Sequence, residues 1–189
     1  MSFVNDYLTQ LEATIHRISR EEVEAVVEAL LGNLRAGKQV FLIGNGGSAA
    51  TASHMMNDLN KFTLVEGQPR FRAFALTDNV PLMTAWGNDA AYEDVFVEPL
   101  KNFLQPGDLL IAISTSGNSP NVVKAVEYAN AHGALTVGFV GDKGGRVAET
   151  ARLLVRIPSA HIGQQEDGHM ILDHVIVHTL KQRLMGANG

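Results

Sequence analysis

Two hydrophobic periods alternate along this chain. Over residues 2–18 the apolar positions Phe3, Val4, Leu8, Leu11, Ile15 and Ile18 recur mostly at steps of three and four. That spacing predicts an amphipathic helix. Ser19 with Glu22 three residues later has the form of a capping box and predicts a second helix start. This helix carries Val23, Val26, Val27, Leu30, Leu31 and Leu34, and Gly37 closes it.

The period then shortens. Val40–Ile43 predicts a buried strand, followed by a turn over Gly44–Ser48 and a helix through about Lys61. Phe71–Leu76 predicts a second strand ending at Thr77-Asp78, and Tyr92–Leu104 a helix. Pro106-Gly107 turns the chain into a third strand, Asp108–Ile113. Ser114–Pro120 leads into a helix ending near His132. Leu135–Val140, a short helix from Arg146, and Leu153–Ile157 continue the alternation. A last helix spans about Gly163–Leu184. Strands alternating with helices imply an α/β fold: a parallel sheet of about five strands between helical layers, preceded by two N-terminal helices. The strands show no polar alternation, as expected when helices cover both sheet faces. With no repeat and no long linker, residues 1–189 form one domain, with the helical pair over 1–36 expected to serve assembly.

Composition narrows the function. Apolar residues make up 46% of the 189 and charged residues 19%, enough for a real core. Fifteen Lys and Arg against twenty Asp and Glu give a net charge of −5, which argues against nucleic acid as a partner. Cysteine is absent, so thiolate chemistry and Cys-based metal sites are excluded. No apolar run approaches the ~20 residues of a membrane helix. The opening MSFVNDYLTQLE lacks the pattern of a signal peptide, and a cytoplasmic protein is expected.

Candidate chemistry gathers at predicted strand ends, where open parallel sheets bind ligands. Gly44-Asn45-Gly46-Gly47-Ser48 offers close backbone approach and free amides at a helix start. Ser114-Thr115-Ser116-Gly117-Asn118-Ser119 packs hydroxyls before a second helix start, with Pro120 suited to its first turn. Hydroxyls and amides in a positive dipole field suit an anion, most naturally a phosphate. A turn that merely caps its own helix is the plainer alternative. Gly44-x-Gly46-x-x-Ala49 also fits a relaxed dinucleotide fingerprint. Its acidic partner, about 20 residues on, is missing: Asp78 lies more than 30 residues from Gly44. His54 and Asp58, four apart, fall on one helix face.

These turns, with His54 and the His-bearing last helix, resemble the sugar isomerase (SIS) family, most closely its bacterial phosphoheptose isomerases. The resemblance implies a five-stranded αβα sandwich of flavodoxin-type topology, a homotetramer with shared active sites, an aldose–ketose isomerase of a sugar phosphate, and zinc. It places Asn45, Gly46, Gly47, Asn88 and Asp89 on the sugar and Ser114, Thr115, Ser116 and Ser119 on the phosphate. His54 falls on the family's zinc histidine. Asp58 stands where the family has Glu, the proposed base, and is one methylene shorter. Matching the His169/His174 spacing puts His174 at the acid and metal position and Glu166 where the family has Gln, touching both substrate and metal. A one-residue slide restores a Gln at 165 but puts Asp173 in place of the histidine. On an ideal helix residues 166 and 174 lie roughly 12 Å apart. The implied reaction converts sedoheptulose 7-phosphate to D-glycero-D-manno-heptose 7-phosphate through an enediol, with Asp58 and His174 moving protons. Two alternatives stay open: another sugar phosphate, or a non-catalytic SIS regulator of the type that associates with a replication initiator.

Overall fold

The computed structural model describes residues 2–186. Helices α1 (Phe3–His16) and α2 (Arg20–Arg35) precede five strands: β1 (Val40–Gly44), β2 (Ala73–Ala75), β3 (Leu109–Ser114), β4 (Leu135–Val140) and β5 (Leu153–Arg156). Between and after them run α3 (Gly47–Asn57), α4 (Val80–Asp89), α5 (Val97–Phe103), α6 (Pro120–Ala131), α7 (Gly145–Thr150) and α8 (Ile162–Gly186). The strands pair in the order β2-β1-β3-β4-β5, all parallel. This is the flavodoxin-like order, whose switch point lies between β1 and β3.

The uninterrupted apolar strands follow from two covered faces. Val40, Leu42, Leu109, Ile111, Val137 and Phe139 pack with α2, α3 and α8. Their neighbours Phe41, Ile43, Leu110, Ala112 and Val140 pack with α5, α6 and α7. Removing one such side chain, as in Ile111→Ala, costs about 2–5 kcal/mol.

Local chemistry sets the element ends. Ser19 Oγ accepts the Glu22 amide at 3.2 Å. The second half of the predicted capping box is not made, because the Glu22 carboxylate accepts the Arg156 amide instead. At the far end of α2, Lys38 N–H donates to Asn33 and Gly37 N–H to Leu34, a Schellman closure around Gly37 at φ +65°. The third strand starts at Leu109 rather than Asp108, whose buried carboxylate accepts the amides of Gln39 and Gln105. The edge strand β2 is shorter than its apolar run, and Asn60 satisfies the outer amide and carbonyl of Ala73. The predicted helix over Tyr92–Leu104 is a 3₁₀ turn, Tyr92–Asp94, followed by α5. Pro99 lies in the first turn of α5, where its missing N–H is tolerated. Helix α4 was not anticipated: Asn79 caps it and Pro81 starts it, but none of its residues is buried, so no apolar stripe marks it.

Candidate active site

The two unusual turns follow adjacent strands. Gly44 at the end of β1 pairs with Ile113 near the end of β3, so the 44–48 and 114–119 turns open side by side at the switch point. A Cβ on Gly44 would lie 2.6 Å from the Ser48 carbonyl oxygen, so only glycine lets α3 start this close to the strand. The Asn45 side chain spans the two turns. It exchanges two hydrogen bonds of 2.9 Å with the buried Asn121 amide at the start of α6, and its Oδ1 also accepts the Tyr92 hydroxyl at 3.0 Å.

The hydroxyl-rich turn holds its shape from within. Ser114 Oγ accepts the Gly117 amide at 3.1 Å and Ser116 Oγ the Asn118 amide at 3.2 Å. Asn118 Oδ1 accepts the Arg146 amide, tying the turn to the start of α7. Gly117, at φ +64°, presses on the Gly144 carbonyl, where a Cβ would sit 1.8 Å away. Ser119 occupies the N-cap of α6 but makes no side-chain capping bond. A turn serving only its own helix would use that hydroxyl. Ser116 and Asn118 are exposed and Thr115 and Ser119 half-buried. A cleft of about 420 Å³ opens beside them, lined among others by Thr115, Ser116, Lys143 and Gln165.

The second focus is a group of imidazoles and carboxylates between α3 and α8. His54, Asp58, Asp173 and His174 each bring a donor atom within 4.8 Å of the others. His54 Nε2 lies 3.2 Å from His174 Nε2, 3.5 Å from Asp58 Oδ2 and 3.8 Å from Asp173 Oδ2. The backbone widens into a π-helical turn, Asp58–Phe62, starting at Asp58 itself. Such turns recur at functional sites. His54 and His174 are exposed, Asp58 is half-buried and Asp173 fully buried. Burial, helped by the nearby charge of Asp58, pushes the Asp173 carboxyl up to about 7. One turn earlier, the buried His169 is pulled down to about 4 by burial, which the Val140 backbone only partly offsets.

The donors fit a divalent cation. Ligand atoms around a tetrahedral ion with bonds of about 2.1 Å stand roughly 3.4 Å apart, and the three separations at His54 bracket that value. Two imidazoles with two carboxylates suit zinc. The set is not the anticipated one. His54, Asp58 and His174 come together as expected, while Asp173 is in the group and Glu166 is not. Glu166 lies against Gly47, where a Cβ would meet its Oε1 at 2.7 Å. Gly46 is the left-handed residue before α3, at φ +55°. Asn88 and Asp89 are exposed at the end of α4 and bonded to each other at 2.8 Å. Asn121, Tyr92 and the π-helical turn carried no signal in spacing. Asp173 did: it is a carboxylate inside the apolar face of α8, next to His174.

This fold and site define a class. The sequence profile of the SIS domain matches residues 5–141, and the chain belongs to that family. Its relatives include the phosphoheptose isomerase of Burkholderia pseudomallei (strain 1710b), 37% identical over 165 residues, 87% of this chain and 83% of that protein. Phosphoheptose isomerase from Francisella tularensis superposes with a TM-score of 0.88 at 25% identity, covering 95% of this chain and 96% of the other. Phosphoheptose isomerase GmhA from Neisseria gonorrhoeae gives 0.87 at 27% identity, covering 95% and 97%.

Proposed function

We propose that this chain is an aldose–ketose isomerase of a heptose phosphate, interconverting sedoheptulose 7-phosphate and D-glycero-D-manno-heptose 7-phosphate. The observation that carries the proposal is the meeting of His54, Asp58 and His174, in a chain 37% identical to phosphoheptose isomerases.

The phosphate docks on the 114–119 turn. Thr115, Ser116 and Ser119 offer hydroxyls, Ser114 shapes the turn from below, and the start of α6 adds positive potential. Asn45, Gly46 and Gly47 meet the sugar hydroxyls, with Asn88, Asp89 and Glu166 at the rim. Asn121 and Tyr92 hold Asn45 in position, so the sugar turn and the phosphate turn keep a fixed spacing. Asp58 carries a proton between C1 and C2 through an enediol. His174 exchanges a proton with the sugar oxygens. Zinc is the cation we assign to the cluster, held by His54, Asp58 and His174. When bound, it supplies Lewis-acid polarisation of the substrate carbonyl.

The protein works as a homotetramer in the cytoplasm, its single domain using residues 1–36 for assembly. Phe3, Val4 and Leu8 on α1 are more than half exposed, which supports cover by other copies. Among the described residues no helix is long and apolar enough to cross a membrane.

The Asp58→Asn enzyme tests the chemistry. Turnover of sedoheptulose 7-phosphate is expected to fall at least 100-fold, with substrate affinity within a few-fold of wild type by calorimetry. Equal loss of binding and turnover would remove Asp58 from proton transfer.

A further inference from the structure

We propose that Asp173 is a ligand of the cation in this chain, in the place that the resemblance assigned to Glu166. The inference rests on the cation assigned to His54, Asp58 and His174 above.

Asp173 is completely buried, and neither of its carboxylate oxygens has a hydrogen-bond partner. Buried polar atoms are nearly always partnered, and an unpaired buried carboxylate is among the most costly groups a fold can hold. One oxygen points into the cluster, 3.8 Å from His54 Nε2. The same group contains Asp58 and His174, all four donor atoms lying within 4.8 Å of one another. A cation there would satisfy this carboxylate.

The burial also limits what else Asp173 can do. A general base needs hydrogen-bond reach to the substrate, and a fully buried carboxylate has none. Asp58 is half-buried and stands at the start of the π-helical turn, so it has that reach. Asp173 thus serves the ion alone, whereas Asp58 joins the shell and also keeps an accessible face for the proton. Two carboxylates also balance the charge of a divalent ion. Glu166 lies outside the group, against Gly47, two helical turns before His174. Substituting Gln by Glu at a rim position therefore leaves the cation shell intact.

The test is zinc affinity, measured on the full chain by competition with a chromogenic chelator. We compare wild type, Asp173→Asn and Glu166→Gln, with circular dichroism confirming the fold of each. Asp173→Asn is expected to weaken zinc binding at least tenfold, and Glu166→Gln to change it less than threefold. Wild-type crystals grown with zinc supply a readout that does not depend on any variant folding. Anomalous scattering at the zinc edge is expected to place the ion against the Asp173 carboxylate. Unchanged affinity in Asp173→Asn, a tenfold loss in Glu166→Gln, or an ion away from Asp173 would overturn the inference while leaving zinc in place. A wild-type protein that takes up no zinc would overturn both this inference and the cation assignment beneath it.

Discussion

Asp173 and His169 are one helical turn apart on α8, and burial drives them in opposite directions. His169 resists protonation down to about pH 4, whereas unfolded histidine takes a proton near 6.5. Its contribution to stability is therefore full above pH 6.5 and is lost as the pH falls toward 4. The limit is roughly 3 kcal/mol. Asp173 has the reverse sign: its carboxyl, raised to about 7, favours the fold below pH 3.8 and weakens it as the pH rises through 7. The two effects oppose each other across the same window, so wild type alone hides both. Urea unfolding of metal-free wild type and His169→Gln resolves them. The stability advantage of wild type is expected to shrink by about 3 kcal/mol from pH 7 to pH 4. A difference that does not change with pH would contradict a buried neutral imidazole. Of these residues, spacing alone singled out His54 and Asp58, because four residues on a helix is one turn. Asp173 entered the sequence reading only through the one-residue slide, in place of the histidine. Its lack of a partner is a tertiary fact that no spacing encodes.

Helices and strands were legible wherever a buried face imposed a period. The strands Leu109–Ser114 and Leu135–Val140 fall within a residue of their apolar runs, because both sheet faces demand apolar side chains. Helix α4 was invisible for the opposite reason: it buries nothing, so no stripe exists to detect. The π-helical turn at Asp58 was invisible too, because no residue type or spacing there marks a widened turn. Helix α1 shows a stripe that one chain does not consume. Only Thr14 among its residues is buried, and Leu8 is 58% exposed. Its hold on the rest of the chain includes the Tyr7 hydroxyl donating to Asp167 at 2.5 Å and the Gln164 amide donating to the Tyr7 carbonyl. Leu8→Glu is therefore expected to split the proposed tetramer into smaller species by light scattering while circular dichroism stays helical. A wild-type protein that already runs as a single 20.4 kDa chain would refute this use of α1.

At the scale of the whole molecule, topology does the assembling. The strand order makes β1 and β3 neighbours, so two turns about 70 residues apart in sequence open side by side. The Asn45–Asn121 pair fixes their spacing, and α3, the π-helical turn after it and α8 bring His54, Asp58 and His174 together. The resemblance led to this overall plan because the turns keep their residue types. The membership of the His/Asp cluster was less legible, since it depends on which side chains of α8 face α3. The decisive measurement is isomerisation of sedoheptulose 7-phosphate by the purified chain in deuterated water, followed by proton NMR. Proton transfer through an enediol predicts aldose product in which solvent deuterium appears at C2 in the fraction whose proton exchanges while held on Asp58. No aldose product with zinc supplied would contradict the account.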